Sequence, residues 1–175
     1  MVAMPATVWA RIKAFALDYI VIAGYLILVI ALGVWMNYAG PLFIQTLFMD
    51  RVTGQFVSFL LVTLPVTLYF ALSEASPWQA TWGKRKIGLR VTDKNGARLS
   101  IPHSLVRTLL KFIPWELSHN LIWQHQFAPQ ESSPMISAGF LLVWILVGAN
   151  LLSALLSKTH QTLYDRLAGT YVVVG

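Results

Sequence analysis

Arg11 and Asp18 are the side chains whose types and spacing first suggest chemistry. They stand seven residues apart, about two helical turns, and so share one helix face. From Tyr19 to Met36 no residue is charged, a run long enough to cross a hydrocarbon layer ~30 Å thick at ~1.5 Å per residue. Arg11 can sit at the water boundary; Asp18 lies roughly 10 Å further along the axis. An intramembrane carboxylate lines an ion or proton route, or it neutralises a buried cation and fixes helix packing. A second polar motif is His160-Gln161-Thr162-Leu163-Tyr164-Asp165-Arg166. Thr162 and Asp165 fit the capping pattern of a helix start, and Gly169 suits a left-handed C-terminal cap. Asp165 therefore reads equally as a cap and as a functional charge.

Other chemistries are excluded. There is no cysteine, so disulfides, thiolate catalysis and cysteine metal sites drop out. Trp82-Gly83-Lys84-Arg85-Lys86 lacks the Ser/Thr of a phosphate-binding loop, and Trp78 stands where its first glycine belongs. Nucleotide binding is rejected there, and Lys84, Arg85 and Lys86 read as an anchor for anionic lipid headgroups. Glu116 and His119 have the spacing of a di-iron bundle, but no second Glu-x-x-His exists, so no metal or other cofactor is expected. No serine-histidine-acid signature occurs, and an enzyme is not expected.

The elements that must position these residues are mostly apolar. The 175 residues are 57% hydrophobic and 11% charged, with mean hydropathy +0.63, where a soluble domain carries nearer a quarter charged. This is room for one membrane domain with a small polar appendage. The net charge of +6 reads as orientation and attraction to lipid, not nucleic-acid binding. The N-terminal run is a poor signal peptide and is expected to be retained as a first helix. Spans are expected at about 9–36, 55–73, 104–126 and 135–157, the second kinked at Pro65 and the third interrupted by Pro114. Thr63 and Thr67 are available for the carbonyl that Pro65 frees. A turn is expected over 129–134, and Ala149, Ser153 and Ser157 form a small-residue edge for close helix contact. Between the second and third spans, period-two patterns flank Asn95-Gly96 and predict a β-hairpin over 84–101, with 170–174 of the terminal motif 160–174 as a third strand.

The third segment decides topology. It is polar, with His103, Arg107 and Lys111 in one stripe, and by hydropathy alone it is interfacial. Without it there are three spans and the termini lie on opposite sides. With it there are four, and all Lys and Arg but Arg51 fall on one side or at its boundary, as the positive-inside tendency expects. The four-span arrangement is preferred: an all-α membrane protein, a four-helix transmembrane bundle carrying a small cytoplasmic three-stranded sheet.

Arg11, Ala14 and Asp18, then Ala80-Thr81-Trp82-Gly83-Lys84 through Gly96, then Arg107, then Gln161 to Val173 occur in an order that resembles the RDD family of small bacterial integral membrane proteins. The resemblance covers nearly the whole chain. Its one arginine and two aspartates map onto Arg11, Asp18 and Asp165. Tyr164 departs from the pattern, since many members have histidine there. The resemblance implies a bacterial membrane protein, and the four-span arrangement with its Lys and Arg distribution adds the expectation of an inner-membrane protein with both termini cytoplasmic. The resemblance also implies a transport-related role, since some members are associated with cation/proton exchange. The expectation for these residues is proton-coupled cation exchange with Asp18 as the ion-binding group and Arg11 as its counter-charge. A homo-oligomer or a membrane partner is expected, because four helices alone hardly enclose a pathway. The alternative is a structural or partner-binding module in which Arg11, Asp18, Arg107 and Asp165 clamp the cytoplasmic sheet to the bundle.

Overall fold

Thr7 opens the first helix, its hydroxyl accepting the Ala10 amide at 3.2 Å. The helix, α1 (Val8–Ala39), runs 32 residues before Gly40 and Pro41 end it. The computed structural model describes residues 4–127 and 133–175, and the turn expected over 129–134 falls almost wholly outside them. A short helix, α2 (Pro41–Leu47), lies in the connection. The second long helix is composite: α3 (Arg51–Ser58), a π-helical turn (Phe59–Thr63) and α4 (Leu64–Glu74) follow without a break.

The π turn precedes Pro65, which has no amide for the carbonyl of Leu61 four residues back. The Tyr25 hydroxyl of α1 donates to that carbonyl at 2.7 Å. Thr63, expected to help there, instead donates to Glu116 of the next long helix. That helix, α6 (Ile101–Phe127), is 27 residues long and runs through Pro114 without interruption, contrary to expectation. It lies antiparallel along the whole composite helix. Ser104 donates to the Ala71 carbonyl at 2.8 Å at one end. Glu116 meets Thr63 in the middle, and Trp123 covers Gly54 and stacks on Phe48 at the other end.

Among the described residues three helices are long and apolar enough to cross a membrane: Val8–Ala39, Arg51–Glu74 and Pro134–Leu156. α6 is not among them, although it parallels the second along its full length. α7 (Ser133–Leu156) packs on α6, with Gly139 against Leu121. Its small-residue edge includes Ser153 and Ser157. Ser153 donates to the Gln161 carbonyl at 3.0 Å and Ser157 meets Thr159 at 2.9 Å, so the edge receives the returning terminal segment.

The 84–101 hairpin is not formed. Residues 82–87 are helical, α5 (Trp82–Ile87), ended by Gly88 in the left-handed conformation at φ 71°. Only β1 (Leu89–Asp93) is a strand before the Asn95-Gly96 turn. The Asp93 carboxylate accepts the amides of Asn95 and Ala97, each at 2.8 Å, and one ladder bond, Asp93 amide to Ala97 carbonyl, follows. The chain then leaves the sheet, because Ser100 caps α6 through the amides of His103 and Ser104. β1 pairs instead with β2 (Thr170–Val174), antiparallel, Leu89 opposite Val174 and Val91 opposite Val172. The far edge of β2 is taken by residues 4–6: Ala6 donates to Val172, Val174 donates to Met4, and Pro5 bridges Val173. The sheet is two-stranded with a fringe from residues 4–6, which lie beside β2.

A compact apolar core forms at this end, from Ala6, Ala14, Leu89, Val91, Leu99 and Val172. Elsewhere the bulky residues of α1 and α7, such as Ile20, Ile30, Trp144 and Leu152, face outward.

Candidate functional site

The buried charges gather beside this core. α8 (Leu163–Leu167) begins with the expected capping box: Thr162 accepts the Asp165 amide at 3.3 Å, and the Asp165 carboxylate accepts the Thr162 amide at 3.4 Å. Ala168 closes the helix and Gly169 follows at φ 62°. The same carboxylate is an ion-pair hub. Its Oδ1 accepts from Arg107 Nη2 at 2.7 Å and Nε at 3.0 Å, and its Oδ2 accepts from Arg11. Arg11 also donates to the His160 carbonyl, in a residue held at φ 50°.

Arg107 is almost wholly buried, at 1% exposure. Its Nη1 donates to Glu74 at the end of α4, and its Nε also reaches Thr170 at 3.2 Å. Glu74 completes its set with Lys84 Nζ at 2.9 Å. One chain of ions thus runs from α1 through Asp165, Arg107 and Glu74 to Lys84 on α5. The Tyr164 ring lies 5.3 Å from the Arg107 guanidinium. Among the described residues no buried side-chain nitrogen or oxygen lacks a hydrogen-bond partner, as a desolvated network requires.

Asp18 is fully buried but stands apart. Its partners are Thr81 Oγ1 at 2.6 Å, Gly83 N at 2.7 Å and Tyr69 Oη at 2.8 Å. The expected Arg11–Asp18 pair is replaced: Arg11 reaches sideways to α8, and Asp18 receives the first turn of α5. The reason is close approach. A Cβ on Gly83 would lie 2.1 Å from the Ala14 carbonyl, so Gly83 and Ala14 let α5 lie directly on α1. A carboxylate at that helix start meets free amides and the positive end of its dipole.

Of the sequence-derived candidates, Arg11, Arg107 and Asp165 converge, and Asp18 adjoins them. The basic triplet separates. Lys84 turns inward to Glu74, leaving Arg85 stacked 3.9 Å over Trp78 and Lys86 5.8 Å from Trp82 on the exposed side. Sequence reasoning passed over Glu74, Tyr69 and Thr81. Glu74 had one legible signal: it is the acid that ends the second uncharged run. Glu116 and His119 adjoin at 3.5 Å, and Glu116 is spent on Thr63. Among the described residues no group of three His, Asp or Glu converges as a metal site would need.

These features define a class: a helical membrane protein with long apolar helices whose polar end is locked by a buried Arg–Asp–Glu network. The chain belongs to the RDD family, whose sequence model matches residues 5–169. It is similar to the Uncharacterized protein YxaI of Bacillus subtilis (strain 168), 30% identical over 110 residues, which cover 59% of this chain and 73% of that one. No solved structure matches it.

Three outcomes test the site. Gly83→Ala drives a methyl into α1 backbone and should cost at least about 1–3 kcal/mol, read as a lower melting temperature in detergent. Glu74→Gln leaves Arg107 and Lys84 facing a neutral group and should cost about 3–5 kcal/mol, read by the same measurement. For Asp165, burial raises the pKa but Arg107 and Arg11 outweigh it, holding the carboxyl well below its ordinary 3.8. The folded protein therefore takes up this proton less readily than the unfolded chain. Its contribution is complete above about pH 4 and is lost as pH falls below that. Melting temperature should drop in that acid range, and Asp165→Asn should show a shallower drop from a lower starting value.

Proposed function

We propose that this chain is a four-crossing membrane module whose buried charges clamp a cytoplasmic cap, made of α5, α8, the sheet and residues 4–6, onto the helix bundle. The observation that carries this reading is Arg107, fixed between Glu74 of α4 and Asp165 of α8 with each of its three nitrogens donating to a partner in the network. Such a network resists rearrangement, which suits a scaffold that presents a fixed face to lipid or to a membrane partner.

Two features support four crossings. α6 accompanies the composite helix from end to end, and residues 4–6 pair with β2, which needs an even number of crossings. The Lys and Arg residues support a cytoplasmic cap, since Arg51 alone begins the opposite end of a long helix. Native cysteine is absent, so single cysteines report topology directly. In intact cells an impermeant maleimide should label Asp50→Cys and spare Lys94→Cys; the reverse would overturn the orientation.

Proton-coupled cation exchange is the second reading. It rests on Asp18, the buried carboxylate whose partners are two hydroxyls and an amide and not a cation. Asp18→Asn separates the two. The clamp predicts a lower melting temperature, with any ion flux in proteoliposomes proportional to folded protein. A variant of native stability that has lost pH-dependent flux would establish exchange instead.

A further inference from the structure

Lys111 is the cation in this region that the clamp does not use. It lies on α6 one turn beyond Arg107, and among the described residues it makes no ion pair or hydrogen bond. Its Nζ sits over aromatic faces, 3.2 Å from the centre of the Phe70 ring and 5.3 Å from that of Phe112. A cation held at a helix-lined site without a counter-ion is costly. The surroundings deepen the imbalance. Arg11, Lys84, Arg107 and Lys111 are four cations, and the network supplies two carboxylates, Glu74 and Asp165. Counting Asp18 as well still leaves one positive charge unmatched.

All four cations line one cavity of about 340 Å³. Its walls are apolar, Ile12 from α1 and Val147 and Leu151 from α7. A second cavity of about 300 Å³ shares Lys111 and Val147 with the first and continues along α6 and α7 to Ser118 and Val143. α1 and α7 are not packed together along their lengths, so this groove lies between them. The result is a basic pocket at the cap end, followed by a greasy channel running toward the middle of the bundle. Each part has the volume of a small-molecule site, and basic pockets between membrane helices suit anionic headgroups.

We infer that this groove is a binding site for a singly anionic lipid, with the headgroup phosphate on Lys111 and Arg11 and an acyl chain between α1 and α7. The site rests on the membrane placement proposed above; Arg11 is shared with the clamp, whereas Lys111 contributes nothing to the ion network. A soluble anion would use the pocket and leave the channel empty; an anionic lipid fills both.

The test is the melting temperature of delipidated full-length protein in neutral detergent, titrated with phosphatidylglycerol, phosphatidylcholine or inorganic phosphate. Phosphatidylglycerol should raise it, and the other two should not. Lys111→Gln should weaken the response at least tenfold while Lys111→Arg keeps it. Leu151→Trp, which plugs the channel and leaves every charge in place, should also weaken it. Equal shifts with the two phospholipids, or an unchanged response in Lys111→Gln, would overturn the site. A phosphate response matching that of phosphatidylglycerol would overturn the lipid assignment in favour of a soluble anion. Loss of stability in Glu74→Gln with a preserved phosphatidylglycerol shift would leave the lipid site standing apart from the clamp.

Discussion

The arrangement depends on one buried guanidinium. Removing an ion from water costs several kcal/mol even after relaxation, and the cost is offset only where geometry and hydrogen bonding are complete. Arg107 meets that condition by reaching Glu74, Asp165 and Thr170 together. These belong to α4 and to the terminal segment of α8 and β2, so satisfying one side chain brings two distant parts of the chain to α6. A lysine would not serve, because a point charge cannot replace a planar fork aimed at two carboxylates. The acids are held in turn, Asp165 by its own helix cap and by Arg11, Glu74 by Lys84.

The first helix supplies the other half of the junction. Arg11, Ala14 and Asp18 share a face, and each performs a separate task. Arg11 grips the terminal motif, Ala14 admits the backbone of α5 at Gly83, and Asp18 receives the start of that helix. The face is a docking strip, and its small residue matters as much as its charges. A larger side chain at 14 or 83 would separate the helices and leave Asp18 without the Gly83 amide, in a place where water cannot easily substitute.

Much of this was legible in the residues. The uncharged runs gave the long helices to within a few residues, because a 20-residue apolar stretch has few other uses. Thr162, Asp165 and Gly169 gave the α8 caps, since capping is local and its residue preferences are strong. The family pattern singled out Arg11, Asp18 and Asp165, and all three prove buried or partly buried at one end of the molecule. The pattern also brought Arg107 into view, though not its partner Glu74.

What failed was pairing. Alternation around Asn95-Gly96 described a hairpin, but a two-stranded hairpin is marginal alone, and the terminal strand with the N-terminal fringe offered β1 a better partner. Spacing placed Arg11 and Asp18 on one face, but a shared face is not a contact when partners from other segments compete for each group. Local sequence fixes helix length, caps and apolar faces because those depend on neighbours a few residues away. Which cation meets which carboxylate depends on segments up to 154 residues apart, and that was decided only when packing excluded water and left each buried charge one geometry in which it could be satisfied.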